Sequence, residues 1–162
     1  MKTATLLGIG ACAAAAIAAT PVAAQYQQRV SNDLSRCAPG KGAAALVTIT
    51  NVSASQGKLR VQAYNGTKTD WLEKGRWLNR MELPAKKGTV RVCVPLPGPG
   101  TYAIAVRHDL NGNGKTDLRS DGGGMSNNPS INIFNLGKPS HTETRFDVAA
   151  SAKPITIQMK YF

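Results

Sequence analysis

The sequence predicts an all-β fold, a single antiparallel β-sandwich of about seven strands, on three observations. Apolar and polar residues alternate in one run after another, the period of a strand with one wet face. Turn signals separate these runs at short intervals, as in Asn65-Gly66, Lys87-Gly88 and Pro97-Gly98-Pro99-Gly100. Nothing between the runs supplies the long helical crossovers that a parallel sheet needs.

The first 24 residues are expected to be a cleaved signal peptide. Met1-Lys2 is a short basic start, Leu6 to Ala19 an Ala-rich apolar stretch, and Val22-Ala23-Ala24 a small-residue cleavage site before Gln25. The stretch is too short to span a bilayer as a stable helix. Residues 25–42 then form an N-terminal extension, and residues 43–162 the sandwich domain. Ala43 to Thr50 is the first strand. Leu59, Val61 and Ala63 line one side of the second, and Val90, Val92 and Val94 one side of the next, with Arg91 and Cys93 on its opposite face. Tyr102, Ile104 and Val106, then Phe146 with Val148, and finally Ile155, Ile157, Met159 and Tyr161 repeat the pattern. One segment breaks the rhythm: Asp70-Trp71-Leu72-Glu73 has the shape of a capping box and opens a helical turn that Gly75 cuts short. Counting back by twos from Phe162 reaches Lys160 and Gln158, so the last apolar face is out of register with the terminal aromatic residue. That register speaks against an outer-membrane barrel.

Once the signal is removed, 19 of the 20 Lys and Arg remain against nine Asp and Glu, a net charge near +10. In an exported protein, for the periplasm or the extracellular space, such an excess favours anionic envelope glycans or lipids over nucleic acid. The same charge also serves solubility alone. A mature chain of 138 residues is one domain, which excludes a transmembrane bundle and a multidomain enzyme. Cys12 lies in the signal, leaving Cys37 and Cys93 in an oxidising compartment, as a disulfide or as two separate thiols. A bridge would clip the N-terminal extension across the outer surface of a sheet. Trp71 and Trp77 read either as a lid on the core or as ligand-binding residues that stack on a sugar.

Three of the nine acidic residues fall within Asp109 to Asp121 of this basic chain. Clustered carboxylates repel one another, so such a cluster calls for a cation. Asp109-Leu110-Asn111-Gly112-Asn113-Gly114-Lys115-Thr116-Asp117 fits the first nine positions of a calcium loop, DxNxNGxxD. Asp109, Asn111 and Asn113 offer hard oxygen donors, Gly114 permits the sharp turn, Lys115 offers its carbonyl, and Asp117 binds directly or through water. The twelfth position is Ser120 instead of a bidentate Glu, and Asp121 lies one residue beyond it. The competing reading is that Asn-Gly-Asn-Gly only supplies turn residues to a hairpin. Gly122 to Pro129 extends the loop without hydrophobic payload, as a mobile rim. No GxSxG elbow, HExxH, Walker loop or Cys/His cluster is present, so no catalytic residues and no enzymatic activity are expected.

The tract Pro97-Gly98-Pro99-Gly100-Thr101-Tyr102-Ala103-Ile104-Ala105-Val106, running through His108 to Asp117, resembles the signature of the bacterial domain-of-unknown-function family 2141. Met125-Ser126-Asn127-Asn128, Gly137-Lys138-Pro139-Ser140 and Arg145-Phe146-Asp147-Val148 also match its pattern. The resemblance covers roughly residues 43 to 162. It implies a small exported sandwich with Greek-key connections, similar to transthyretin-like or carboxypeptidase-regulatory-like modules, without an established activity. His141-Thr142 and the Gly122-Gly123-Gly124 run depart from the family pattern.

Overall fold

A computed structural model of the chain describes residues 26–117, 119–131 and 137–161. The proposed signal peptide lies outside them. None of the described helices is long and apolar enough to cross a membrane.

The described chain is all-β. Nine strands run in order: β1 (Gln28–Arg29), β2 (Ala44–Val52), β3 (Lys58–Asn65), β4 (Asn79–Pro84), β5 (Gly88–Pro95), β6 (Gly100–Asp109), β7 (Gly122–Met125), β8 (Phe146–Val148) and β9 (Ala152–Gln158). They form two sheets. The larger has the order β1-β4-β3-β6-β7 with β8 paired to the start of β6, and the smaller has the order β5-β2-β9. The alternation dictates how they meet. Leu59, Val61, Met81, Ile104 and Val106 of the larger sheet share one core with Val47, Ile49, Val92, Val94 and Ile157 of the smaller. Removing these side chains from water is the main driving force for the assembly.

Both sheets are mixed, which corrects the antiparallel expectation. β9 runs parallel to β2, with Val47 opposite Ile155 and Ile49 opposite Ile157. No local crossover helix is needed, because everything from β3 to β8 lies between the two strands in sequence. β1 runs parallel to the edge strand β4, pairing Gln28 with Asn79 and Arg29 with Arg80. The strand count also exceeds the expected seven. β4 has a weak sequence signal because only Met81 and Leu83 carry its alternation. β7 has none because it is mostly glycine.

The glycine-rich run is therefore a strand and not a mobile rim. A side chain at Gly122 would collide with the Tyr161 ring, and one at Gly124 would approach Ile157 Cγ2 to 2.8 Å. Glycine lets β7 lie directly on the β9 segment. Asp70 to Glu73 forms a turn and no helix. The Asp70 carboxylate, 2% exposed, accepts hydrogen bonds from Tyr26 Oη at 2.7 Å and Asn65 Nδ2 at 2.6 Å and pairs with Arg76 at 2.7 Å. A glutamate–serine cap does occur, at Ser140, which opens the single helical turn α1 (His141–Thr144). Glu143 Oε2 accepts from the Ser140 N–H at 2.9 Å and its hydroxyl at 2.7 Å.

Cys37 and Cys93 form a disulfide with their Cα atoms 5.7 Å apart. Cys37 ends a 3-10 turn, Leu34–Cys37, packed against β5 and β2 on the outer surface of the smaller sheet. Just before it, the Asn32 side chain covers the open edge of β5. Its Oδ1 accepts from Cys93 N at 3.1 Å and its Nδ2 donates to Arg91 O at 3.1 Å. The N-terminal extension thus pairs with one sheet through β1 and is tied to the other by sulfur.

Candidate functional site

The bend between β6 and β7 begins and ends at neighbouring strand positions, since His108 pairs with Gly122. Its geometry follows from short side chains reaching their own backbone. Asn111 Oδ1 accepts from Asn113 N at 3.0 Å, and Asn113 Oδ1 from Lys115 N at 2.7 Å. Gly112 and Gly114 take left-handed conformations at φ 70° and 79°, where a β-carbon is strained. Asp109 Oδ2 accepts from Gly114 N at 2.9 Å and from Arg107 Nη2 at 3.2 Å. The Asn111 and Asn113 amides both donate to Asp117 Oδ2, at 2.9 and 2.8 Å. Those donors hold the Asp117 carboxyl below the usual range for an aspartate.

Asp109, Asn111, Asn113, Lys115 and Asp117 are therefore brought together around one bend. Asp121 joins them. Its carboxylate, 5% exposed in residue terms, accepts from Leu110 N at 3.2 Å and Asp117 N at 3.1 Å, tying the end of the loop to its start. The sequence signal for this role was an acidic residue one place beyond the twelfth loop position. Among the described residues, no group of three or more His, Cys, Asp or Glu side chains is arranged to hold a metal ion. A hard-cation site here would depend on amide and backbone oxygens as well as carboxylates. One oxygen stands apart. Asp109 is 4% exposed, and its Oδ1 is buried with no hydrogen-bond partner.

His108 faces the core, opposite in sense to Asp109. Nε2 lies 2.8 Å from the Gln56 carbonyl, which can only accept, so Nε2 carries the proton. In the neutral ring Nδ1 then accepts from Tyr161 Oη at 2.8 Å, and that oxygen accepts in turn from Ser53 N at 3.0 Å. The imidazole is fully buried with both nitrogens engaged, a structural arrangement that leaves no side open to a substrate.

The outer face of the larger sheet carries two features that alternation alone did not reveal. The first is a small second core of Tyr64, Trp71, Trp77, Ala103, Met125 and Ile131. Trp71 and Trp77 are each 7% exposed, and Trp71 Nε1 donates to Pro139 O at 2.8 Å. Both indoles are packed into this cluster, against the small Ala103 of β6. The second is a row of cations. Arg29 is paired with Arg80, and Arg60 with Arg107, at cross-strand positions. The Arg80 guanidinium lies 4.2 Å from the Trp77 ring centroid. Burial and the neighbouring charges of Arg60 and Arg29 lower its pKa. Glu82 forms a direct ion pair with Arg60, at 2.8 Å, and its charge also acts on Arg29 and Arg80.

A family model described as an uncharacterized protein conserved in bacteria matches residues 47–156, from within β2 to within β9. No curated protein and no solved structure matches the chain.

Proposed function

Since the chain belongs to this bacterial family, domain of unknown function 2141, we propose that it is an exported, non-enzymatic module of the cell envelope, structural or ligand-binding, whose bend from Asp109 to Asp121 holds calcium. The observation that carries the reading is Asp109 Oδ1, a buried carboxylate oxygen without a partner at the start of the bend. Leaving such an oxygen unanswered is costly, and a hard cation relieves it. Asn111 Oδ1 and Asn113 Oδ1 each accept one backbone N–H and keep a second lone pair for an ion. Asp117 supplies charge, and Lys115 its carbonyl. Asp121 acts as the strut that keeps the bend closed.

Two Asp and two Asn place the site in the weak extracellular class, with Kd of order 0.1 to 1 mM. At ~1 mM free calcium the stabilisation is about 0.4 to 1.4 kcal/mol, so the ion serves as structural support. The Cys37–Cys93 bridge supports an oxidising compartment, the periplasm or the extracellular space. The finer fold we assign is a sandwich of the transthyretin-like or carboxypeptidase-regulatory-like kind. Calorimetric titration of calcium into the protein and into Asp117→Ala tests the ion, alongside thermal melts in calcium and in chelator. Heat that saturates for the wild type and vanishes for the variant is the expected result. An identical melting curve at several millimolar calcium and in chelator rejects it.

The cation row favours a second reading, binding of an anionic glycolipid or polysaccharide on the outer face of the larger sheet. Arg29, Arg80, Arg60 and Arg107 form its positive surface, with Trp77 beneath Arg80 instead of open to a sugar. Binding to dextran sulfate should fall steeply with salt. No binding at low ionic strength removes this reading.

A further inference from the structure

Beside the cation row the same face opens into a cavity of about 280 Å³. That is at the low end of small-molecule sites, roughly 300 to 1,000 Å³. Its walls combine two chemistries. Leu72, Ala105, Met125 and Ile131 give it an apolar floor, while Arg60, Arg107 and Lys138 stand around it. The charges differ in how well they are answered. Arg60 is committed to Glu82. Arg107 donates through Nη1 to Thr116 Oγ1 at 2.8 Å and through Nη2 to Gly114 O at 3.0 Å and Asp109 Oδ2. Its Nε is buried and has no partner. Lys138 is exposed and makes no ion pair among the described residues. Asp121 also borders the cavity, but its two oxygens are already engaged by Leu110 N and Asp117 N.

An apolar floor selects a hydrocarbon body, and an exposed ammonium without an ion pair selects an anionic oxygen. We propose that this cavity binds a small amphiphilic anion, a medium-chain carboxylate, with its chain over Ala105, Met125 and Ile131 and its carboxylate at the Lys138 ammonium, in the positive field of Arg60 and Arg107. The site requires neither calcium nor a surface glycan, and it assigns a purpose to a cavity that the packing of a plain two-sheet core does not need. Gly123 provides the means of closing it. Gly123 borders the cavity directly across from Arg107, and a β-carbon there meets nothing within 4 Å. Its backbone bonds to Lys160, at 2.9 and 2.8 Å, survive any side chain. Gly123→Leu therefore fills the cavity without disturbing the strand.

The test is a fluorescence titration, since Trp71 and Trp77 belong to the same cluster as Met125 and Ile131. Octanoate, octanol and inorganic phosphate are the probes. Octanoate should give a saturable change, octanol of the same chain length should bind at least about tenfold more weakly, and phosphate should give none. Gly123→Leu should keep the wild-type circular dichroism and lose octanoate affinity by about tenfold or more. Equal binding of octanol and octanoate overturns the anionic assignment. Undiminished octanoate binding by a folded Gly123→Leu overturns the site, as does the absence of any saturable octanoate signal in the wild type.

Discussion

Replacing Gly57 by Ala should damage the protein far more than replacing Gly88 by Ala, although both glycines have positive φ. Gly57, at φ 72°, precedes β3 and lies against the chain that enters the bend from Asp109 to Asp121. A β-carbon there would overlap the carbonyl oxygen of Asp109 and come within 2.7 Å of Leu110 O. Gly88, at φ 98°, has nothing within 4 Å of the corresponding position. The left-handed conformation costs Ala about 1 to 2 kcal/mol at either site. Only at Gly57 does overpacking add roughly 1 to 3 kcal/mol, because the obstructing atoms are backbone and cannot rotate away. Urea unfolding of the two variants measures the difference, which should appear in the midpoint with the slope unchanged. It corresponds to about 3 °C or more in melting temperature for a chain of this size. Since the displaced backbone is that of Asp109, the calcium affinity we propose for the bend should also fall in Gly57→Ala and stay near wild type in Gly88→Ala. Equal destabilisation of the two variants, within about 0.5 kcal/mol, refutes the close approach of Gly57 to the loop.

Three further outcomes follow from the packing. Reducing the Cys37–Cys93 bridge, or replacing both residues by Ser, should cost about 4 kcal/mol by chain entropy for a separation of 56 residues. An unchanged urea midpoint in reductant contradicts it. Tyr161→Phe removes the hydroxyl that donates to buried His108 Nδ1, and the orphaned nitrogen should cost about 1 to 3 kcal/mol in thermal unfolding. Burial pushes the Asp70 carboxyl up, but hydrogen bonds from Asn65, Tyr26 and Arg76 outweigh it and leave its pKa below that of a free aspartate. A carboxylate lowered in the folded state contributes stability that is fully present above the unfolded value, about 3.9, and is lost as pH falls through the folded one. Asp70→Asn should therefore destabilise by at least about 2 kcal/mol at neutral pH. It should also flatten the decline of stability below about pH 4, and an acid limb as steep as the wild type's would show that Asp70 does not drive it.

The strands that strict alternation betrays were legible because a core facing one side of a sheet forces apolar residues into every second place. Leu59, Val61 and Ala63 line the core as that period requires, and so do Val90, Val92 and Val94. The outward position of Cys93 was legible for the same reason, since it falls out of phase with the valines, whereas its pairing with Cys37 stood open against two separate thiols. The rest lacked a periodic signature. β1 contains two residues, β4 has two apolar positions, and β7 has backbone where a strand would ordinarily show side chains. Parallel pairing of β2 with β9 leaves no local mark, because the two are joined through most of the chain.

The two candidate sites differ in legibility for a related physical reason. A cation loop is built from one contiguous segment whose donors follow each other at fixed spacing, so Asp109, Asn111, Asn113 and Asp117 can be read in a line. The cavity draws Leu72 from the turn after Asp70, Arg60 from β3, Arg107 from β6 and Lys138 from beyond β7, and tertiary packing alone brings them together. Its one sequence trace was the pair Ala103 and Ala105, small apolar residues on a face where alternation calls for polar ones. Small residues there mean that something covers the sheet, and an imperfect cover leaves a cavity. Arg107 belongs to both places, holding Asp109 and Gly114 with one nitrogen while another remains unanswered. An anion in the cavity would place negative charge beside the arginine that now steadies the bend, so occupancy of the cavity and of the loop should be thermodynamically coupled, each altering the affinity of the other by the same factor.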